Sequence, residues 1–177
     1  MVHLDISGGE PSASANYADI LARLPESVQS VRVNTNGSRI IPELAHLVER
    51  GVEVTVTVSL DGIGAVHDRV RWPVRWDTVY RNLMHYQRMN LTALNCWTTV
   101  SAVNIHDFET IREFVIQHQL DHSWAFLHDP DPLNVRYSNT LTRPYHYLFP
   151  EHVAVDRDNQ HELDSFLQQE LLLRGIE

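Results

Sequence analysis

Three runs in the first 62 residues alternate apolar and polar side chains, and each ends in a polar turn. Val2, Leu4 and Ile6 alternate with His3, Asp5 and Ser7 and run into Gly8-Gly9-Glu10-Pro11. Val31 and Val33 alternate with Arg32 and Asn34 and end in Asn34-Thr35-Asn36-Gly37. Val52, Val54, Val56, Val58 and Leu60 alternate with Glu53, Thr55, Thr57 and Ser59 and end in Ser59-Leu60-Asp61-Gly62. Between and after them, Tyr17/Ile20/Leu21/Leu24, Ile40/Leu44/Leu47/Val48 and Trp76/Val79/Tyr80/Leu83 recur at helical spacing. Pro25 and Gly51 stop the first two of these helices. Strand-helix alternation of this kind predicts parallel strands with helical crossovers. The polar turns then gather at the C-terminal end of the sheet, where α/β folds place their ligands.

The pattern continues with a Thr-, Val- and Ala-rich fourth strand over residues 93–103. A helix bearing Phe108, Ile111 and Val115 follows, with Asp107 placed to cap it, and then a short fifth strand from Ser123 to His128. Beyond residue 128 the periodicity breaks. Residues 129–158 carry Asp129-Pro130-Asp131-Pro132, Pro144 and Pro150 among many Tyr and His, with Tyr145, Tyr147 and Phe149 read as packing residues. Leu163, Phe166, Leu167 and Leu171 form a last helix with Gly175 as its stop. The expected division is an α/β unit over 1–128, and over 129–177 an irregular tail with a C-terminal helix packed on it.

A doubly wound sheet covers both faces with helices, so its central strands read as nearly continuous apolar runs. Here one face carries His3, Asp5 and Ser7, then Arg32, Asn34 and Asn36, then Thr55, Thr57, Ser59 and Asp61. A polar face on a parallel sheet needs water or a ligand beside it. A closed small barrel fills its lumen with branched apolar side chains, which these are not. The expected fold is therefore α/β, a partial (β/α) barrel of parallel strands with its concave side open.

Composition narrows the function classes. Net charge is −9, and all fourteen basic residues are Arg. The acidic balance argues against nonspecific nucleic-acid binding, and the lack of Lys excludes a Schiff-base or phosphate-loop lysine. Cys96 is the single cysteine, so no intramolecular disulfide forms and a cytoplasmic setting is expected. Apolar runs are strand-sized, too short to span a bilayer.

The turns carry the chemistry. Gly8 and Gly9 let backbone approach a ligand and adopt positive φ, and the Glu10 carboxylate can accept from an ammonium group. Pro11 and Ser12 suit a helix start. Ser59 and Asp61 share the polar face at their strand's end, suited to hydroxyls. His67-Asp68-Arg69-Val70-Arg71, expected in the following loop, adds guanidinium groups that grip carboxylates. Each element taken singly is also an ordinary turn or solvated loop. His118 and His122 straddle an expected helix end at Leu120-Asp121, a poor metal pair.

Together and in this order, the motifs resemble the radical S-adenosylmethionine (SAM) family, particularly its peptide-modifying branch with a SPASM or twitch C-terminal extension. Gly8 to Pro11 matches the family's GGEP motif, Asn34 to Gly37 resembles its TNG strand end, and Ser59 to Gly62 with His67, Asp68 and Arg71 is similar to its SLDG…HDxxR segment. Thr99 to Asn104 is similar to the next strand, whose end lines the adenosine site. The resemblance covers about residues 1–128. It implies that Gly8, Gly9, Glu10 and Pro11 hold the SAM amine, that Ser59 and Arg71 contact ribose and carboxylate, and that Asn36, Asp61 and Asn104 line the site. His3, Asp5, Arg32 and Asn34 then face the substrate, a peptide or small molecule, and no residue is assigned as catalytic. The implied cofactors are SAM and a [4Fe-4S] cluster, at which the intact parent would cleave SAM reductively and start radical modification.

The family's cluster is held by three closely spaced cysteines, a C-x3-C-x2-C loop that this chain does not contain; Cys96 cannot replace three thiolates. The simplest reading is an N-terminally truncated protein whose first barrel strand and cluster loop precede Met1. Residues 2–7 would then be an exposed sheet edge open to self-association. The alternative is a cluster-less, non-catalytic SAM- or nucleotide-binding accessory domain. A third reading is a metal-dependent (β/α) enzyme using His3 and Asp5.

Overall fold

The computed structural model describes residues 2–135, 148 and 160–173. Five strands, β1 (Val2–Ile6), β2 (Val28–Thr35), β3 (Glu53–Ser59), β4 (Ala93–Val100) and β5 (Asp121–Phe126), form one sheet in chain order. The first four pair in parallel. Helices α1 (Tyr17–Ala22), α2 (Glu43–Glu49), α3 (Ala65–Val70), α4 (Trp76–Gln87) and α5 (Phe108–Gln117) carry the crossovers, and α6 (Gln160–Leu173) follows. The architecture is the expected α/β partial barrel.

Alternation decides what each strand buries. In register, Val31 lies beside Val54 and Val33 beside Val56. All four are fully buried, with Val58, Leu44, Leu47, Val79 and Leu83 in the same core. The opposite parity forms an open polar face. Asp5, Arg32, Thr55 and Ala93 make one row across it, with Asn34, Thr57 and Asn95 in the next and Ser59 and Trp97 nearest the C-terminal ends. β1 is covered least: Val2 is exposed, and Leu4 and Ile6 are half-buried.

Several element bounds differ from expectation. Residues 67–70, expected in a charged loop, belong to α3, and Arg71, expected there too, is its C-cap. β4 stops at Val100 because the next residues turn: Asn104 Oδ1 accepts from Ser101 N at 2.7 Å, and Asn104 N donates to Ser101 O at 3.2 Å. β5 begins two residues earlier than expected, at Asp121, since Gln119 takes φ +54° and ends the preceding helical stretch. In α1 the buried stripe is Tyr17 and Leu21, while Ile20 is 54% exposed. In α4 it is Val79, Leu83 and Tyr86, while Tyr80 stays outside.

Two compact units divide the chain, one of 1–98 with 109–123 and one of 99–108 with 124–177. The second has its own small core of Val100, Ile105, Phe108, Phe126, Val135 and Leu148. Trp124 meets both Phe108 and Phe126 edge-on at 5.3 Å, and α6 lies against the turn at Asp131–Leu133. Pro144, Tyr145, Tyr147, Phe149, Pro150 and Gly175 lie outside the described residues.

Candidate functional site

Glu10 is the hub where β1 and β2 end. Gly8 and Gly9 take φ +92° and +58°, a geometry glycine adopts without strain, and carry the chain out of β1. Glu10 then caps the short 3-10 turn Pro11–Ala13 with its side chain. Oε1 accepts from Ser12 N at 3.1 Å, Ser12 Oγ at 2.5 Å and Thr35 Oγ1 at 2.9 Å. Oε2 accepts from Thr35 Oγ1 at 3.0 Å and Asn36 N at 2.6 Å. One carboxylate thus joins the first turn to the second. The second turn is itself fixed: Gly37 N donates to Thr35 Oγ1 at 3.0 Å, Ser38 N to Asn36 Oδ1 at 2.8 Å, and Asn82 Nδ2 of α4 to Gly37 O at 2.7 Å.

A second cluster forms after β3. Asp61 is buried, and Arg71 Nε donates to its Oδ2 at 2.7 Å. Between them in sequence, Asp68 accepts from the first helical N–H of α4, Trp76 N, at 2.6 Å and pairs with Arg75 at 2.8 Å. His67 is fully buried against Trp76, with ring centroids 5.6 Å apart. Neither ring nitrogen has a partner in hydrogen-bond geometry, although the Gly62 backbone lies close enough to favour a ring proton. Burial foremost, and then the Arg71 guanidinium, push its pKa below the ordinary value, against Asp61, Asp68 and Gly62, which raise it. Gly62 is required by space: a Cβ there would stand 2.7 Å from both His67 N and Val66 Cγ1.

Of the residues expected at the site, Gly8, Gly9, Glu10, Pro11 and Asn36 come together at the first hub, and Asp61 with Arg71 at the second. Ser59 stands half-buried at the end of β3, beside Trp97 in register. Asp5, Arg32 and Asn34 share the open face, all exposed. His3 sits at the N-terminal end of the sheet, bonded through Nδ1 to Ser30 Oγ at 2.6 Å. There it borders a cavity of about 620 Å³ with Glu26, Gln29, Arg50 and Glu53, remote along the strands from the turns. Asn104 belongs to the second unit, where Nδ2 donates to Thr99 O at 2.9 Å and Oδ1 accepts from Ser101 N and Oγ. Among the described residues no three His, Cys, Asp or Glu side chains gather as metal ligands.

Sequence reasoning missed Thr35 and Ser12, the two hydroxyls bonded to Glu10. Thr35 was detectable by parity: it continues the buried stripe of Val31 and Val33, and a buried hydroxyl needs a partner. Trp97 has the parity of the polar face, yet it is 38% exposed with no ring partner among the described residues. The [4Fe-4S] cluster does not fit the residues present. Cys96 is fully buried on the helix side of β4, and burial pushes its thiol up to about 12, so it is no thiolate ligand.

The family model for the radical SAM superfamily matches residues 2–115. Mycofactocin maturase MftC of Mycolicibacterium smegmatis is 29% identical over 108 residues, 60% of this chain and 28% of that protein. GTP 3′,8-cyclase of Cronobacter sakazakii is 37% identical over 62 residues, 34% of this chain and 18% of that protein. Streptococcus suis SuiB bound to S-adenosylmethionine superposes with a TM-score of 0.58 at 13% identity, covering 97% of this chain and 37% of SuiB. SuiB bound to the precursor peptide SuiA gives 0.56 at 12%, over 99% and 36%. The chain thus spans between about a fifth and two fifths of each of these proteins. With that family model matching residues 2–115, well over half of its length, the chain belongs to the radical SAM superfamily.

Proposed function

We propose that this chain is the SAM-holding part of a radical SAM protein that modifies a peptide, with the cluster ligands supplied by residues outside these 177. The observation that carries the reading is the convergence of the GGEP, TNG and SLDG turns at the C-terminal ends of three adjacent parallel strands. Glu10 accepts the ligand's ammonium, Ser59 and Arg71 reach ribose and carboxylate, and Gly8, Gly9, Pro11, Asn36 and Asp61 shape the mouth. Asp5, Arg32 and Asn34 on the open face, and His3 farther down, meet the substrate. SAM supplies the adenosyl group; no step through a cluster is assigned to this chain. The peptide substrate is inferred from the maturase relatives and from SuiB's complex with its precursor peptide; a small-molecule substrate is the alternative within this reading.

The single, buried Cys96 favours a second reading, a cluster-less SAM- or nucleotide-binding accessory domain. Reading the coding DNA upstream of Met1 separates the two. An in-frame C-x3-C-x2-C loop after a strand supports the radical enzyme; a stop codon with a ribosome-binding signal immediately ahead removes it. The sparse cover on β1 supports self-association through residues 2–7, and sedimentation of the chain as a monomer at all concentrations would overturn that. Among the described residues no helix is long and apolar enough to cross a membrane; a cytoplasmic location is proposed on the single cysteine.

A further inference from the structure

Resting on the SAM-site reading above, the Glu10 carboxylate carries an inference about its neighbour. A carboxylate offers about four lone-pair positions. Glu10 meets four hydrogens: Ser12 N–H, Ser12 Oγ–H, Asn36 N–H, and one Thr35 hydroxyl shared between Oε1 at 2.9 Å and Oε2 at 3.0 Å. An incoming ammonium must therefore displace one of them. Two are backbone amides, fixed by the turn that begins at buried Pro11 and by the end of β2. Thr35 is 2% exposed, and its oxygen is held from the other side by Gly37 N at 3.0 Å. Ser12 Oγ differs from these three. It turns on one side-chain torsion of a half-buried residue, and water can take its place as partner.

We propose that the Ser12 hydroxyl is the exchangeable occupant of the ammonium position on Glu10. It closes on the carboxylate and gives way to the α-ammonium of an amino-acid-bearing ligand such as SAM, so it sets that ligand's affinity by competition. Thr35 is its opposite, a positioning residue that keeps the carboxylate aimed while the exchange occurs. Two hydroxyls on one carboxylate thus act with opposite sign.

Calorimetric titration of the 177-residue chain with SAM and with 5′-methylthioadenosine, which lacks the amino-acid half, tests this. Ser12→Ala should tighten SAM about fivefold, the scale of one net hydrogen bond, and leave methylthioadenosine unchanged. Ser12→Cys, close in size but a poor donor, should shift in the same direction, which guards against a folding defect in the alanine variant. Thr35→Val should weaken SAM about tenfold without affecting methylthioadenosine, and Thr35→Ser should restore it. Ser12 variants that bind SAM as wild type or more weakly overturn the proposal, as does tightening of both ligands alike. Wild type binding neither ligand overturns the SAM-site reading itself.

Discussion

The turn after β1 and the turn after β3 occupy equivalent places in the barrel but are built in opposite ways. The first is open: Gly8 and Gly9 are exposed with no atom near where a Cβ would stand, and Glu10 is satisfied by neutral donors. The second is packed: Asp61, Gly62 and His67 are buried, and charge meets charge at 2.7 Å. Neutral hydrogen bonds to a half-buried carboxylate exchange readily with a ligand. A mostly buried ion pair does not, because parting it strands a charge in low dielectric. The β1 end is thus suited to exchange its hydrogen bonds, while at the β3 end the pair with Asp61 holds the turn's shape and orients Arg71.

The sharpest way to break this comparison is to place alanine in both turns. Gly62→Ala forces a methyl to 2.7 Å from the backbone of α3 and should cost about 3 kcal/mol, read as a large fall in melting temperature. Gly8→Ala meets no clash and should cost about 1 kcal/mol for its φ of +92° alone. Equal losses at the two positions would show that the turns are not packed differently.

Breaking the Asp61–Arg71 pair comes next. Arg71→Met leaves the Asp61 carboxylate, 8% exposed, without its guanidinium. Because the Arg71 side chain keeps 26% of its surface in water, the expected loss is about 2 kcal/mol rather than the larger cost of a fully buried pair. Adding Asp61→Asn should recover most of it in a double-mutant cycle. At the other turn Glu10→Ala removes the cap on Pro11–Ala13 and the link to Thr35 and Asn36, and should cost about 1.5 kcal/mol in chemical denaturation. A Glu10 loss exceeding that of Arg71→Met would reverse the assignment of which turn carries the fold.

Much of this difference was legible in the sequence, for a physical reason. Strand alternation of period two fixes a side chain's face wherever one face is buried, so the pattern alone puts Asp5, Arg32, Asn34, Thr57 and Ser59 on one face. The turn residues were legible through their special backbone needs. The state of 65–71 was not. His67 to Arg71 were expected in a loop with their guanidinium groups turned to a ligand carboxylate, but tertiary structure adds partners that no local pattern shows: His67 against Trp76, Asp68 on the start of α4, Arg71 on Asp61. Thr35 was hidden by its own motif, which drew attention to Asn36 and Gly37, and Ser12 by being an ordinary residue after a proline. Strand parity marks Thr35 as a buried hydroxyl that needs a partner, but which partner it finds, 25 residues away, leaves no local trace.

The smallest effect is a pH dependence that belongs to the β3 side. His67 has a folded pKa below the ordinary 6.5, chiefly through burial and then through Arg71, so the folded chain keeps it neutral where the unfolded chain takes a proton. Its contribution to stability is therefore complete above about pH 6.5 and is lost as pH falls toward the folded value, at up to about 1.4 kcal/mol per pH unit for one proton. His122 adds a second, independent case. The Thr98 hydroxyl spends its hydrogen on Leu60 O at 2.6 Å, so it accepts from His122 Nε2–H at 2.9 Å, and burial with the Arg112 charge lowers that pKa as well. His67→Leu removes two unpartnered nitrogens along with the titration. Its stability relative to wild type should rise by about 1 kcal/mol between pH 8 and pH 5.5, with the His122 slope left in place. Parallel stability–pH curves for the two proteins across that range would mean that His67 takes up its proton in the fold as readily as in the unfolded chain, and that burial beside Arg71 does not depress its pKa.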